Sequence, residues 1–176
     1  MDIDSGKSAP APEAPNWDAI FAEVNSWRGA CMHHFSTVEM AATETLFALS
    51  AAAPAGTSVR LRHLIGQRFE DLASALAPDG PFNEAGKIAA HELSQFREKH
   101  EAFRSLLCHG LVKVTVERSG HWILVMRVLS NRSRQAERST VVLERGEAET
   151  LLATLKRDGQ RLASVFGQLR KVLGAG

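Results

Sequence analysis

The sequence predicts a mainly α fold, an antiparallel four-helix bundle with a small β-hairpin or meander inserted before the last helix. Three observations carry this. Apolar residues recur at steps of three and four over most of the chain, which is the signature of a helix with one buried face. The step changes to two only between about residues 111 and 143. Gly and Pro punctuate the boundaries between these stretches. Sequential elements joined by short connections pack as neighbours, which favours up-and-down topology.

Residues 1–15 are rich in Ala, Pro, Ser and acidic side chains, with almost no apolar bulk. Such a segment cannot offset its ordering entropy, so a disordered tail is expected there and a single domain over 16–176. Asn16 can cap a first helix beginning at Trp17, with Asp18 at the positive end of the helix dipole. Ile20, Val24, Trp27, Cys31, Phe35, Val38, Ala42, Leu46 and Leu49 make its stripe, and Pro54-Ala55-Gly56 ends it. A helix this long in a chain of 176 residues predicts a surface shared with a second copy, hence a homodimer.

The second helix is expected to start near Thr57 or Ser58, to run through Val59, Leu61, Leu64, Ile65, Phe69, Leu72 and Leu76, and to stop at Pro78-Asp79-Gly80-Pro81. The third starts between Phe82 and Ala85 and closes at Gly110, a glycine placed to adopt the left-handed conformation that ends helices. Beyond it, Leu111–Val116 and His121–Leu129 alternate about a turn at Glu117–Gly120, which predicts a hairpin. Thr140–Leu143 adds a short third strand, and the polar stretch Ser130–Ser139 is expected to be a loop. The last helix spans about Gly146 to Leu173, with Leu155, Leu162, Phe166 and Leu169 inward.

Composition narrows the function classes. A net charge of +1 supplies no global field for nucleic acid, so such binding needs a local patch. No apolar run approaches the roughly 20 residues that span a bilayer, and the N-terminus has neither the basic nor the apolar part of a signal peptide. Cys31 and Cys108 both lie among apolar residues and read as small buried hydrophobes in a reducing, cytoplasmic compartment. The histidines make no recognised metal pattern, since Gln95 stands where H-E-x-x-H would need its second His after His91-Glu92. No metal and no cofactor is expected.

The chemistry-bearing stretch is Phe103-Arg104-Ser105-Leu106-Leu107-Cys108-His109-Gly110. Arg offers a planar fork that matches phosphate oxygens, and His moves a proton near neutral pH. Arg104 and His109 at the end of the third helix, with Gly110 and a strand directly following, resemble the R-x4-6-H motif of the HEPN superfamily of helical RNA-associated domains. Ser105 stands where that family commonly has an amide, so an orienting hydrogen bond differs here. The motif covers seven residues, and the helical pattern around it most of 16–176.

The resemblance implies a metal-independent endoribonuclease of toxin or defence type, with His109 transferring a proton, Arg104 clamping the phosphate and two motifs facing each other across a dimer. The implied partners are RNA and a cognate antitoxin. Glu44 on the first helix is the preferred acidic support, ahead of Glu39, because its neighbours Ala41, Thr45 and Ala48 let another helix approach. Ser105 and the arginines of the 130s, Arg132 and Arg134, are the candidate RNA contacts, with Arg60, Arg62 and Arg68 as a further basic cluster.

Each of these residues also has a structural reading. Arg104 can pair with Glu101 three residues earlier, and His109 can sit on the open carbonyls of the last helical turn. Five residues along a helix rotate by roughly 140°, so the pair shares a face only if the helix ends between them. A non-catalytic helical module that binds a partner protein or RNA therefore stands beside the nuclease.

Overall fold

The computed structural model describes residues 14–117, 119–132 and 135–174. The predicted disordered tail falls outside them except for Ala14 and Pro15, which are exposed and irregular. The described chain is mainly helical: α1 (Trp17–Ala51), α2 (Ile65–Leu76), α3 (Asn83–His109) and α4 (Arg145–Val172). A three-stranded antiparallel sheet, β1 (Leu111–Val116), β2 (Trp122–Arg132) and β3 (Gln135–Glu144), lies between α3 and α4 in the order β1-β2-β3.

Local chemistry explains the helix ends. The Asn16 side chain accepts the Ala19 N–H at 3.1 Å and caps α1 as expected. Helix α4 begins without a connector, because Glu144 ends β3 and is also the N-cap. Its carboxylate accepts from the backbone of Glu147, whose own carboxylate accepts the Glu144 N–H at 2.9 Å, a reciprocal capping box. Arg170 and Lys171 occupy the last turn, where cations offset the open carbonyls.

The core forms where the inward stripes meet. Val24, Cys31, Phe35, Val38 and Leu46 of α1 are buried with Leu155, Leu162 and Phe166 of α4 and with Leu93, Phe96 and Phe103 of α3. Each such side chain contributes about 1.5–3 kcal/mol on burial. At Gly159 helix α4 comes so close to α1 that an added Cβ would stand 3.1 Å from Val38 Cγ2. The Trp27 indole N–H reaches across to the Ala148 carbonyl at 2.8 Å, tying α1 to the first turn of α4.

The sheet lays one face on the helices. In the register Val112↔Met126↔Val141 and Val114↔Leu124↔Leu143, Leu124, Met126 and Leu143 are buried. The other face carries Lys113↔Val125↔Val142 and Leu111↔Arg127↔Thr140, and Leu111 and Val142 are exposed there.

Three expectations are corrected. The helix predicted from Thr57 or Ser58 begins only at Ile65: a single 3-10 turn covers Ala55–Ser58, and the intervening residues are not helical. The Arg62 backbone N–H and its Nε donate to the Asp71 carboxylate at 3.0 and 2.8 Å, which holds this segment against α2 in place of a helical turn. The stretch expected as a loop over Ser130–Ser139 is strand on both sides of residues 133–134, and β2 and β3 pair to Arg132↔Gln135. Gly110 closes α3 without the left-handed conformation, at φ −78° and ψ 138°.

Candidate functional site

Helix α3 is continuous through His109, and its last backbone bond runs from the Gly110 N–H to the Leu106 carbonyl at 2.8 Å. Arg104 and His109 therefore keep the roughly 140° separation of helical residues five apart. The unwinding between them that a shared face requires does not occur. His109 and Ser105 are exposed and, four residues apart, lie on the same side of the helix.

Arg104 is three-quarters buried, and its Nε donates to Glu39 Oε1 of α1. Glu39, not the preferred Glu44, is thus the carboxylate of the first helix that reaches the motif. Glu44 lies further along α1 and pairs with Arg170 of α4 at 3.2 Å. Glu101, the other proposed partner of Arg104, pairs instead with Arg97 at 3.0 Å.

Arg62 and Arg68 stand together and are bound into the fold. Arg62 is held by Asp71 and Glu70, with the Asp71 hydrogen bond the largest influence raising its pKa. Arg68 donates to the Arg62 carbonyl and to the Thr43 hydroxyl. Arg132 belongs to β2, with its side chain outside the described ones, and Arg134 lies outside the described residues.

The cysteines divide. Cys31 is fully buried, and burial pushes its thiol up to about 12, so it is no nucleophile at neutral pH. Cys108, expected to be buried, is exposed with its Sγ 4.0 Å from Met32 Sδ.

A polar pair lies outside the motif: the stripe of α3 predicts a hydrogen-bonded core histidine at His100, but not that Asp158 is its partner. His100 is buried beside Phe96, as its place on the α3 stripe suggests, and its Nε2 is 3.1 Å from Asp158 Oδ2 on α4. Asp158 sits between Leu155 and Leu162 on an otherwise apolar stripe, and that carboxylate among leucines was the available signal. Burial, the largest single influence, raises its pKa, but His100, Arg157 and Lys99 together outweigh it and hold the carboxyl below its ordinary value.

A depressed folded-state pKa stabilises above the unfolded value, near 3.9, and that stability is lost as pH falls through the folded value. Asp158→Asn is therefore expected to flatten the dependence of the urea midpoint on pH below about 4. An unchanged slope would show that the pair does not contribute.

Among the described residues, no three His, Cys, Asp or Glu side chains are grouped so as to hold a metal ion. No described helix is long and apolar enough to cross a membrane. No family model, curated protein or solved structure matches this chain. The fold and the motif's geometry define a mainly helical domain with a three-stranded antiparallel sheet.

Proposed function

We propose that the protein is a non-catalytic helical interaction module of the cytoplasm, an up-and-down four-helix bundle that binds protein through the outer side of α1 and the outward face of its sheet. The observation that carries this reading is the Arg104–Glu39 ion pair on a helix that stays intact through His109. A phosphate clamp needs its guanidinium free at the place where charge develops, within reach of the proton-transfer group. Here a carboxylate takes the guanidinium, and the imidazole leaves the helix on another side. The exposed apolar residues Met40 and Phe47 on α1, and Leu111 and Val142 on the sheet, supply the surface such a module needs.

The competing reading is the HEPN-like ribonuclease acting as a dimer on RNA under a cognate antitoxin, and the exposure of His109 and Ser105 favours it. One experiment separates the two. Wild type and His109→Ala are incubated with single-stranded RNA in EDTA, and products are probed for 2′,3′-cyclic phosphate ends. The module is expected to give no cleavage above background in either protein. Cleavage by wild type that falls about 10²–10⁴-fold in His109→Ala would overturn the module and establish the nuclease.

A further inference from the structure

Beside the His100–Asp158 pair a cleft of about 550 Å³ opens between the second half of α3, the end of β3 and the first turns of α4. That volume lies within the roughly 300–1,000 Å³ of small-molecule sites. Leu143, Gly146, Thr150, Leu151 and Thr154 line it together with His100. Gly146 has nothing within 4 Å of where a Cβ would stand, so the space beside it is open. None of these residues belongs to the R-x4-H motif, to α1 or to the outward face of the sheet.

The imidazole gives the cleft its chemistry. His100 is 4% exposed, its ring lies 4.9 Å from that of Phe96, and its Nε2 is 3.1 Å from Asp158 Oδ2. Two neighbours on different sides thus hold the ring in place. Nδ1, at the other position of the ring, makes no hydrogen bond among the described residues. It is not sealed in, because the buried side-chain atom without a partner among those residues is Trp122 Nε1. His100 lines the cleft, so Nδ1 opens into it. In the neutral ring the proton facing Asp158 sits on Nε2, which leaves Nδ1 a lone-pair acceptor. An acceptor against apolar walls costs free energy until something donates to it.

Three other polar groups of the cleft are engaged within the chain. The Thr150 hydroxyl donates to the Gly146 carbonyl at 2.8 Å, and the Glu147 carboxylate accepts the Glu144 N–H at 2.9 Å. The Lys99 ammonium is 3.5 Å from Asp158. Lys99 is the cation among the lining residues, so the cleft offers no unpaired positive charge to an anion, and Glu147 and Asp158 repel one.

We propose that this cleft binds a small, neutral, apolar molecule carrying one O–H or N–H donor, of the chemical class of a phenol or an indole. The donor bonds to His100 Nδ1, and the apolar body lies against Leu143 and Leu151. Burial of that body supplies the affinity, and the single hydrogen bond fixes its orientation. Asp158 is a positioning residue that keeps the proton on Nε2. The site adds to either reading of the protein's function and depends on neither.

The test titrates the full chain, with ¹⁵N-labelled histidine, against 1-naphthol, 1-methoxynaphthalene and 1-naphthoate. The first donates a hydrogen bond, the second has the same body without the donor, and the third is an anion. 1-Naphthol is expected to bind at least about fivefold more tightly than either analogue and to move the His100 Nδ1 resonance, which 1-methoxynaphthalene leaves in place. Gly146→Leu grows a side chain into the open space and is expected to weaken 1-naphthol at least about tenfold, with circular dichroism and the urea midpoint confirming the fold.

Equal affinity for 1-naphthol and 1-methoxynaphthalene, or an unmoved Nδ1 resonance with 1-naphthol bound, would overturn the proposal. Tighter binding of 1-naphthoate would overturn the neutral ligand class. Undiminished binding to folded Gly146→Leu would place the ligand elsewhere, and no binding of any probe up to about 1 mM would remove the site. The resonance and the analogues are read on the wild-type chain, so a Gly146→Leu protein that failed to fold would leave the test decisive.

Discussion

Phe35→Ala is expected to lower the stability of the domain by about 3–5 kcal/mol, seen as a fall in the urea midpoint at unchanged slope. Phe35 is 1% exposed at the centre of α1, and its ring lies 6.3 Å from Phe96 and 6.1 Å from Phe103, one turn pair apart on α3. Truncation removes the transfer energy of the ring and leaves a cavity that two aromatic neighbours on a separate rigid helix cannot collapse to fill. A domain with a total stability of about 5–15 kcal/mol loses a large share by this one change. A measured loss below about 1 kcal/mol would mean that α1 and α3 do not meet at this position.

Gly110→Ala is expected to cost about 1–3 kcal/mol, for a reason different from the usual one. The backbone at Gly110 is ordinary, so an L side chain meets no torsional penalty there. The obstacle is space. A Cβ would stand 2.3 Å from the Leu106 carbonyl oxygen, the atom that accepts the Gly110 N–H. That oxygen belongs to the helix backbone and cannot move aside without opening the last turn of α3.

Gly120, in the turn between β1 and β2, provides the comparison. Its φ is +85° and nothing crowds its Cβ, so alanine there meets conformational strain alone, about 1–2 kcal/mol. Thermal unfolding of Gly110→Ala indistinguishable from wild type would refute the steric account.

The helices that could be read from the sequence are those whose stabilising contacts repeat along it. The stripes of α1, α3 and α4 recur every three or four residues, and the cap at Asn16 and the stop signal around Pro54 are local. The segment 59–64 was misread because Val59, Leu61, Leu64 and Ile65 mimic that recurrence. The interaction that overrides it joins Arg62 to Asp71, nine residues on, and leaves no trace in the period. The end of the β2–β3 pair was misread for the opposite reason. Polar residues suggest a loop over Ser130–Ser139, whereas Arg138 and Ser139 lie in strand with their side chains in water and need no apolar alternation.

At the motif, the sequence could supply Arg104 and His109 but not the state of the helix between them. Nor could it decide between Glu39 and Glu44. Both flank the same stripe, and only the crossing of α1 with α3 brings one of them to Arg104.

The zero-length junction between β3 and α4 has a further consequence for how the protein can be re-engineered. Glu144 belongs to strand and cap together, and only Gly110 separates α3 from β1. Both helices are spliced to the sheet without slack, so residues added at either splice would displace a strand or rotate a helix against the core. The turn at Ser119-Gly120 is exposed and leads only from one strand to the next. A foreign segment inserted there closes one more loop at a cost that grows only as the logarithm of its length. The chain therefore has a natural port for a reporter or a tether on the hairpin, and two seams, at 110 and 144–145, where the same cargo would break the fold.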